Sequence, residues 1–219
     1  MKEKATLPTA PVRRKASTAD ALLNAAGALF IERRSLDVSL SDIAERTGLN
    51  SALIKYYFGN KEGLLLALIK RDATQSLNAL GTLLKMALPA DRKMRIHIAG
   101  IMNSYYKSPY LNRLLHHLIG NGETEASNHI ADFFVKPVVE AQRAILEQGE
   151  QEGVFRHVDA EMFYFSMVGA CDHLFFATHS LKPLFGELRV TEDLRERYTD
   201  HVTDIFMTAL DDTKEKAAE

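Results

Sequence analysis

The chain contains, from Ile43 to Phe58, the stretch IAERTGLNSALIKYYF, which predicts two short helices separated by a glycine turn. A helix-turn-helix needs a small residue where its helices touch, a turn residue that tolerates a positive φ, and apolar anchors on both helices. Ala44 and Gly48 supply the small residue and the turn. The apolar anchors are Ile43, Leu49 and Ile54. The stretch therefore predicts a unit of the kind that reads duplex DNA.

The second helix of such a unit enters the major groove and places its N-terminal side chains on base edges. Asn50 and Ser51 can hydrogen-bond to bases or phosphate, and Ala52 can touch a thymine methyl group. Lys55 can reach a guanine edge or the backbone, and the tyrosine hydroxyls that follow it suit phosphate. The residues that we expect to contact DNA are Ser41, Thr47, Asn50, Ser51, Ala52, Lys55, Tyr56, Tyr57 and Lys61.

Residues around the motif add to this surface. Lys61 lies at the predicted start of the next helix, where its ammonium and the free backbone amides can hold a phosphate together. Thr47 is polar where an apolar residue is common, and a hydroxyl bonded to the backbone of the turn would explain it. The cluster Arg13, Arg14 and Lys15 either adds a DNA contact or only keeps a disordered arm soluble, and both readings stay open.

Helical periodicity extends along most of the chain. A first amphipathic helix starts at Thr18 and ends near Arg33 or Arg34, and Ser39 or Ser41 caps the second. A long helix follows at 61–88, with Gly81 as a candidate bend and Pro89 as its stop. Further helices are predicted at about 91–106, 110–119, 125–150, 160–181 and 192–211.

The predicted organisation is a flexible basic arm at 1–15, a helix-turn-helix domain at 16–61 and a helical body at 62–219. Pro137 lies inside a predicted helix and either kinks it or starts a new one, and the sequence does not choose. No stretch alternates with period two. The predicted fold class is therefore all-α.

Composition sets the expected compartment and partners. The chain shows neither the apolar core of a signal peptide nor a run of roughly 18 uncharged apolar residues, so we expect a soluble cytoplasmic protein without membrane contact. Cys171 is the single cysteine, which suits a reducing compartment. Residues 1–60 carry a net charge of +3 and residues 61–219 carry −5. A basic end on an acidic body favours orientation toward phosphate.

The preceding amphipathic helix, the turn Thr47-Gly48-Leu49, the end Tyr56-Tyr57-Phe58 and the continuation Lys61-Glu62-Gly63-Leu64 resemble the TetR family of transcriptional regulators. The resemblance covers roughly residues 16–65. It implies an N-terminal three-helix DNA-binding domain followed by a larger helical ligand-binding and dimerisation domain. The family often has Tyr in place of Lys55 and Ser or Thr in place of Asn50, so the resemblance does not fix the operator sequence.

A homodimer is expected because groove geometry asks for two reading units spaced by about 34 Å or a multiple of it. The segment 162–171 is apolar around nearly its whole circumference, which indicates burial against both its own core and a partner. The alternative is a core helix of a monomer. The predicted interface residues are Ser166, Gly169, Ala170, Ala177, Tyr198, Val202, Ile205 and Phe206.

The body also carries aromatic and titratable side chains that suit an amphipathic or aromatic effector. Each of them taken singly is also explained by core packing or a local hydrogen bond. The candidate ligand-binding residues are Tyr105, Tyr106, His116, His117, Phe133, Phe134, Asp172, His173 and Phe176.

Metal and enzyme chemistry are not expected, and no cofactor is predicted. Adjacent His116 and His117 point about 100° apart on a helix, and Cys171-Asp172-His173 lacks the spacing of a closed zinc site. Cys171 and His173 diverge on a helix and do not form a nucleophile–base pair. No nucleophile elbow, phosphate loop, HExxH motif or dinucleotide fingerprint is present.

The sequence therefore predicts a ligand-responsive DNA-binding regulator, most simply a repressor released from a palindromic operator by a small molecule. Its expected partners are double-stranded DNA, a second copy of the chain and an effector. The expected mechanism is an effector that shifts the 61–88 helix and changes the spacing of the two reading units. The alternative is a helical protein-interaction module without DNA binding. Such a module would not require Lys55, Tyr56, Tyr57 and Lys61 at one end of the motif, so these residues favour DNA binding.

Overall fold

A computed structural model describes residues 17–120 and 124–211, and the predicted arm at 1–15 lies outside the described residues. The α-helices are α1 Thr18–Arg33, α2 Leu40–Thr47, α3 Ser51–Phe58, α4 Lys61–Lys85, α5 Ala90–Lys107, α6 Pro109–Ile119, α7 Glu125–Ile130, α8 Lys136–Gln151, α9 Ala160–Phe176, α10 Leu181–Phe185 and α11 Glu192–Leu210. Within the described residues no β-strand forms, and the all-α prediction is confirmed.

Side-chain caps set the ends of the first helices. Ser17 and Asp20 form a capping box at α1, and Ser39 and Asp42 form one at α2. Ser39, rather than Ser41, therefore caps α2. Each box satisfies amides that the first helical turn leaves without an intrahelical partner. The three helices and the start of α4 share a core that includes Leu22, Phe30, Val38, Ile43, Ile54, Leu64 and Leu68.

Helix α4 ends at Lys85, earlier than its predicted stop at Pro89. Met86 already has extended backbone angles, and Pro89 occupies the N-cap of α5 instead. The buried ammonium of Lys93 donates to the carbonyl oxygen of Leu84 at 3.0 Å. This bond satisfies a carbonyl that the helix end leaves open, so a side chain from α5 helps to terminate α4.

Pro137 is accommodated by a widened turn. The π-helical segment Ala131–Val135 joins α7 to α8, and the N–H of Lys136 donates to the carbonyl of Ala131, five residues back. Proline lacks an N–H, and its ring would clash with the carbonyl four residues earlier in a regular helix. The choice that the sequence left open is resolved: helical backbone continues through a π turn, and Pro137 lies in the first turn of α8.

Helix α5 lies at the centre of the body and packs against α4, α6, α8, α9 and α11. Helix α9 ends at Phe176 because Ala177 leaves the helical conformation, with φ −84° and ψ 43°. The single helix predicted over 160–181 is therefore wrong in its last residues, where a 3-10 turn, Thr178–Ser180, leads into α10.

No helix in the described parts of the chain is long and apolar enough to cross a membrane.

His97 is a buried histidine on α5. Only 5% of its surface is exposed, and Nε2 has no hydrogen-bond partner among the described residues. Burial lowers the pKa of His97 to about 4, because desolvation disfavours the charged imidazolium. The imidazole is therefore neutral at pH 7.

Because the pKa of His97 is lowered, we expect the free energy of unfolding of the wild-type chain to fall by up to about 3 kcal/mol as the pH falls from 6.5 toward 4. In this window the unfolded chain binds a proton at His97 and the folded chain does not, so protons favour unfolding. Above pH 6.5 the contribution is fully present. His97→Gln should flatten this part of the profile of unfolding free energy, measured by urea denaturation. The exposed His117→Gln serves as the control and should keep the wild-type slope. A His97→Gln profile parallel to the wild type would contradict the assignment.

Candidate nucleic-acid interface and ligand cavity

The turn between α2 and α3 is closed by a glycine and a threonine hydroxyl. Gly48 has a φ of 67°, in the left-handed region that a residue without Cβ adopts readily. Thr47 Oγ1 donates to the carbonyl oxygens of Ile43 at 3.1 Å and Ala44 at 3.0 Å, and it accepts the N–H of Leu49 at 3.3 Å. The predicted explanation for a polar residue here is confirmed. Because its hydroxyl is used inside the turn, Thr47 shapes the motif.

Helix α3 turns one side to the core and the other to solvent. Ile54 is fully buried, whereas Lys55 and Tyr57 are exposed. Tyr56 exposes 81% of its surface, and its ring meets that of Tyr57 edge to face at 5.1 Å between centroids. An exposed cation and two exposed phenols therefore lie together on α3.

The N-terminal end of α3 is shaped by Asn50. Its Oδ1 caps the helix by accepting the N–H of Ala52 at 2.8 Å. The side-chain NH2 of Asn50 is therefore the group left to donate to a ligand. Ser51 and Ala52 are exposed beside it, and Ser41 is exposed on α2.

Helix α4 begins close against the end of α3. Asn60 Oδ1 accepts the N–H of Gly63 at 2.8 Å. A Cβ built on Gly63 would lie 2.0 Å from the carbonyl oxygen of Phe58, so only glycine allows this approach. Lys61, the first residue of α4, is half-buried. The approach places the first turn of α4 against the C-terminal end of α3.

Two arginines of this domain are held by carboxylates within the chain. Arg33 donates to both oxygens of Asp42, at 3.0 and 2.9 Å, and Arg46 pairs with Glu32. The Arg33 guanidinium and then the Ser39 hydroxyl hold the pKa of Asp42 well below its usual range. These arginines therefore join α1 to α2. The lysines of the α3–α4 end form no ion pair within the described residues.

A cavity of about 500 Å³ lies among α4, α5, α6, α8 and α9. Its wall is largely aliphatic and aromatic. Of the predicted ligand-binding residues, four line it, namely Tyr105, His116, Phe134 and Asp172. The structure thus brings together one carboxylate, one histidine and two aromatic rings from the predicted set.

The other five predicted ligand residues do not line the cavity. The ring of Phe176 packs against that of His116, with 4.9 Å between centroids, and the guanidinium of Arg195 lies over the ring of Tyr106, 5.1 Å from its centroid. Phe133 stacks on His129 instead. His117 and His173 are exposed.

Several lining residues were missed by the sequence reading, among them His97, Ser104, Tyr164 and Phe165. A sequence signal was available for His97. It shares a helical stripe with the apolar residues Met94, Ile98 and Ile101, and a polar residue within such a stripe indicates a polar group on a buried face.

Asp172 is the carboxylate at the cavity wall. Its Oδ1 accepts a hydrogen bond from the side-chain amide of the fully buried Asn112, and its Oδ2 lies 2.9 Å from Nε2 of His116.

Burial, reinforced by the charge of Asp172, raises the pKa of the Cys171 thiol to about 12, so the thiol stays protonated at neutral pH. The described residues contain no group of three or more His, Cys, Asp or Glu residues that could hold a metal ion.

The predicted dimer residues divide into two groups. Ala177 and Val202 are buried in the chain's own core, Val202 on the helix that packs against α5, so neither side chain is available to a partner. The periodicity of apolar residues in the sequence did not distinguish positions that face the chain's own core from positions that face outward. Two exposed apolar side chains of the same helix are not among the predicted residues, Met162 at 68% and Phe165 at 74%. The remaining predicted residues are exposed or half-buried, namely Ser166, Gly169, Ala170, Tyr198, Ile205 and Phe206.

A polar junction links the small domain to the body. Tyr110 of α6 donates to Asp72 of α4 at 2.6 Å, and its ring lies 6.0 Å from that of Phe30 in α1. Arg71 of α4 donates to Asn24 of α1 at 2.8 Å. Helices α4 and α6 therefore contact α1 directly, and both also line the cavity.

Solved structures of other proteins share this fold. A regulator FadR from Bacillus subtilis in complex with stearoyl-CoA matches with a TM-score of 0.69 and 19% identity over 87% of this chain and 98% of that one. A tetR-family regulatory protein from Rhodococcus RHA1 matches with a TM-score of 0.70 and 15% identity over 90% and 98%. At these identities the likeness concerns the fold.

Curated relatives match a shorter segment. The HTH-type transcriptional regulator BetI of Rhizobium meliloti (strain 1021) is 38% identical over 79 residues, which are 33% of this chain and 36% of the relative. BetI of Agrobacterium fabrum (strain C58 / ATCC 33970) is 42% identical over 74 residues, or 31% and 34%. The chain thus spans about a third of the length of these relatives.

Two family models match consecutive parts of the chain. The model described as bacterial regulatory proteins, tetR family, matches residues 22–68. The model described as tetracyclin repressor-like, C-terminal domain, matches residues 87–214, more than half of the chain. The first match contains the helix-turn-helix and the second contains most of the cavity wall. The chain therefore belongs to the TetR family of regulators.

Proposed function

We propose that this chain is a DNA-binding transcriptional regulator that acts as a homodimer and is released from its operator by a small apolar molecule. The observation that carries the proposal is the exposed end formed by α3 and the start of α4. Protein packing does not require Lys55, Tyr56 and Tyr57 to stand in solvent beside the amides of a helix N-terminus. Phosphate and base edges are the natural partners of such groups.

The proposed DNA contacts are of two kinds: contacts to base edges, which give sequence specificity, and contacts to phosphates, which position the protein on the duplex. The amide NH2 of Asn50 and the ammonium of Lys55 face base edges in the major groove, and Ala52 meets a thymine methyl group. Lys61, the α4 amides and the tyrosine hydroxyls hold phosphates. Arg33 and Arg46 take no part, because carboxylates of the chain already bind them.

The proposed dimer forms through the outer sides of α9 and α11. Exposed Met162 and Phe165 on α9 and Ile205 on α11 make an apolar surface. Two small residues of α9, Ser166 and Gly169, are also exposed and permit close approach of a partner helix. A twofold pair of this kind reads a palindromic operator, because each copy places one α3 in the groove.

The proposed response to ligand uses the two helices that line the cavity and also touch α1. A ligand that displaces α6 moves Tyr110 against Asp72 and Phe30, and a shift of α4 moves Arg71 against Asn24. Either movement tilts the small domain and changes the separation of the two α3 helices. Such coupling typically amounts to 1–3 kcal/mol, about a 5- to 150-fold change in affinity, and operator DNA must weaken ligand binding by the same factor.

Lys61→Ala is expected to weaken binding to all duplex sequences alike and to lower the slope of log affinity against log salt by about 0.9, the contribution of one phosphate. Lys55→Ala should also change sequence preference, since base edges specify. Competition binding at several salt concentrations measures both effects. Lys85→Ala removes an exposed lysine at the other end of α4 and should leave DNA affinity unchanged. If wild-type protein shows no affinity for random duplex at low salt, the proposal fails and a protein-interaction module is favoured.

Met162→Lys is expected to shift the protein toward monomer at micromolar concentration, because the new ammonium would lose its water in the apolar interface. Sedimentation velocity measures the change, and affinity for a full operator should fall with it. Val154→Lys places the same charge at another exposed apolar position, outside the proposed interface, and should leave the dimer intact. A wild-type protein that sediments only as monomer would remove the dimer from the proposal.

A further inference from the structure

The cavity has an uneven distribution of charge. Its apolar wall includes Leu77, Leu80 and Leu83 from α4, Ile101 from α5 and Val138 from α8. None of the described residues that line it is lysine or arginine. Among the described lining residues, Asp172 is the one carboxylate. An anionic group inside this cavity would therefore meet a like charge and no lysine or arginine to balance it.

Asp172 retains room for a donor. An ionised carboxylate offers about four acceptor positions. Asn112 occupies one on Oδ1 and His116 one on Oδ2, which leaves a free position on each oxygen. The carboxylate side chain is 18% exposed and belongs to the cavity wall. A further hydrogen-bond donor from a ligand can thus bind without displacing either partner.

Aromatic rings line the same cavity as this carboxylate. Tyr105 and Tyr164 both belong to its wall, and the charge of Asp172 helps to raise the pKa of each phenol, although burial is the larger cause. Aromatic faces attract a cation that has lost its water, and the attraction adds to that of the carboxylate. A cavity with a carboxylate and aromatic rings in its wall suits an ammonium better than a neutral hydroxyl.

A second polar point lies further along α5. His97 precedes Tyr105 by eight residues, which corresponds to about 12 Å along a helix axis. Its Nε2 lacks a partner among the described residues, and the side chain lines the cavity. The wall between these two points carries Ile101, with the leucines of α4 also lining the cavity. Gln142, which bonds to His97, also donates to the carbonyl oxygen of Ala160 at the start of α9, whereas Asp172 lies twelve residues further along that helix, about 18 Å. The carboxylate and the neutral imidazole therefore lie at well-separated points of the cavity wall.

Resting on the proposed function, we infer that the effector is an elongated apolar amine, whose protonated nitrogen binds Asp172 while its hydrocarbon part extends toward His97. The charge of the amine is balanced by the carboxylate, and its body replaces water along an aliphatic wall. A fatty carboxylate of the same length would place its charge beside Asp172, or away from it where no described lysine or arginine lines the wall. The neutral imidazole of His97 tolerates an apolar end or bonds to a polar substituent there.

The test compares n-decylamine, n-decanol and n-decanoate, which share one chain length and differ in the polar end. Isothermal titration of the full-length protein with each, below the concentration at which micelles form, measures affinity directly. Decylamine is expected to bind at least tenfold more tightly than decanol, and decanoate more weakly than both. Equal affinities, or a preference for decanoate, would overturn the inference.

Asp172→Asn locates the amine. This variant keeps an oxygen for Asn112 but removes the charge, and it should reduce decylamine affinity about tenfold, to the level of decanol, while decanol affinity stays constant. Glu147→Gln removes an equal charge from an exposed position on α8 and should change neither. Unchanged decylamine affinity in folded Asp172→Asn would overturn the inference. If that variant does not fold, the ranking of the three ligands on wild-type protein still decides.

Failure of this inference and failure of the proposed function give different results, because ligand binding is measured without DNA. A protein that binds operator duplex but not decylamine keeps the regulator proposal and loses the amine. A protein that binds decylamine through Asp172 but has no affinity for any duplex keeps the cavity assignment and loses the regulator proposal.

Discussion

Helix α4 packs against the three-helix domain with its first turns and lines the cavity with its later turns, and this shared packing fixes how the small domain and the body sit together. Its first turns place Leu64, Leu65 and Leu68 against the three-helix domain. Its later turns place Leu77 and Leu80 on the cavity wall. A helix of 25 residues extends about 37 Å, so one rod crosses from the proposed DNA surface to the ligand chamber. A helix cannot bend freely without breaking hydrogen bonds, and displacement of one end is therefore passed to the other.

The motif itself was predictable because its requirements are local. A positive φ at Gly48 and a buried Ile54 follow from a few neighbouring residues, and the structure shows both. The cap of α2 was narrowed to Ser39 or Ser41, and the structure selects Ser39. Helix termination was less predictable where the partner is distant in sequence. Proline alone suggested that α4 ends at 89, whereas Lys93 from the next helix takes the carbonyl of Leu84 and Met86 is already extended.

The cavity was harder to predict for a geometric reason. Periodicity shows that a side chain points inward, but a body of several layers has more than one inward direction. Tyr105 and Tyr106 are neighbours on α5 and were predicted together, yet one lines the cavity and the other packs beneath Arg195 toward α11. The net charge of a segment likewise does not show which of its cations are free to bind DNA. The basic excess of the first 60 residues includes Arg33 and Arg46, which are held by Asp42 and Glu32 inside the chain.

Helix α9 connects the ligand chamber to the proposed dimer surface. Phe165 and Gly169 line the cavity and are also exposed on the outer side of the chain, next to Met162. A second copy that covers this face would therefore close part of the cavity wall, and the ligand would then lie one helix away from the twofold axis. Asp172 stands on the same helix, one turn beyond Gly169. In the proposed dimer, a ligand bound to that carboxylate would therefore act on the helix that sets the geometry of the pair, as well as on the helices that contact α1. Both routes would change the same quantity, the distance between the two α3 helices, which the spacing of DNA grooves tolerates only within narrow limits.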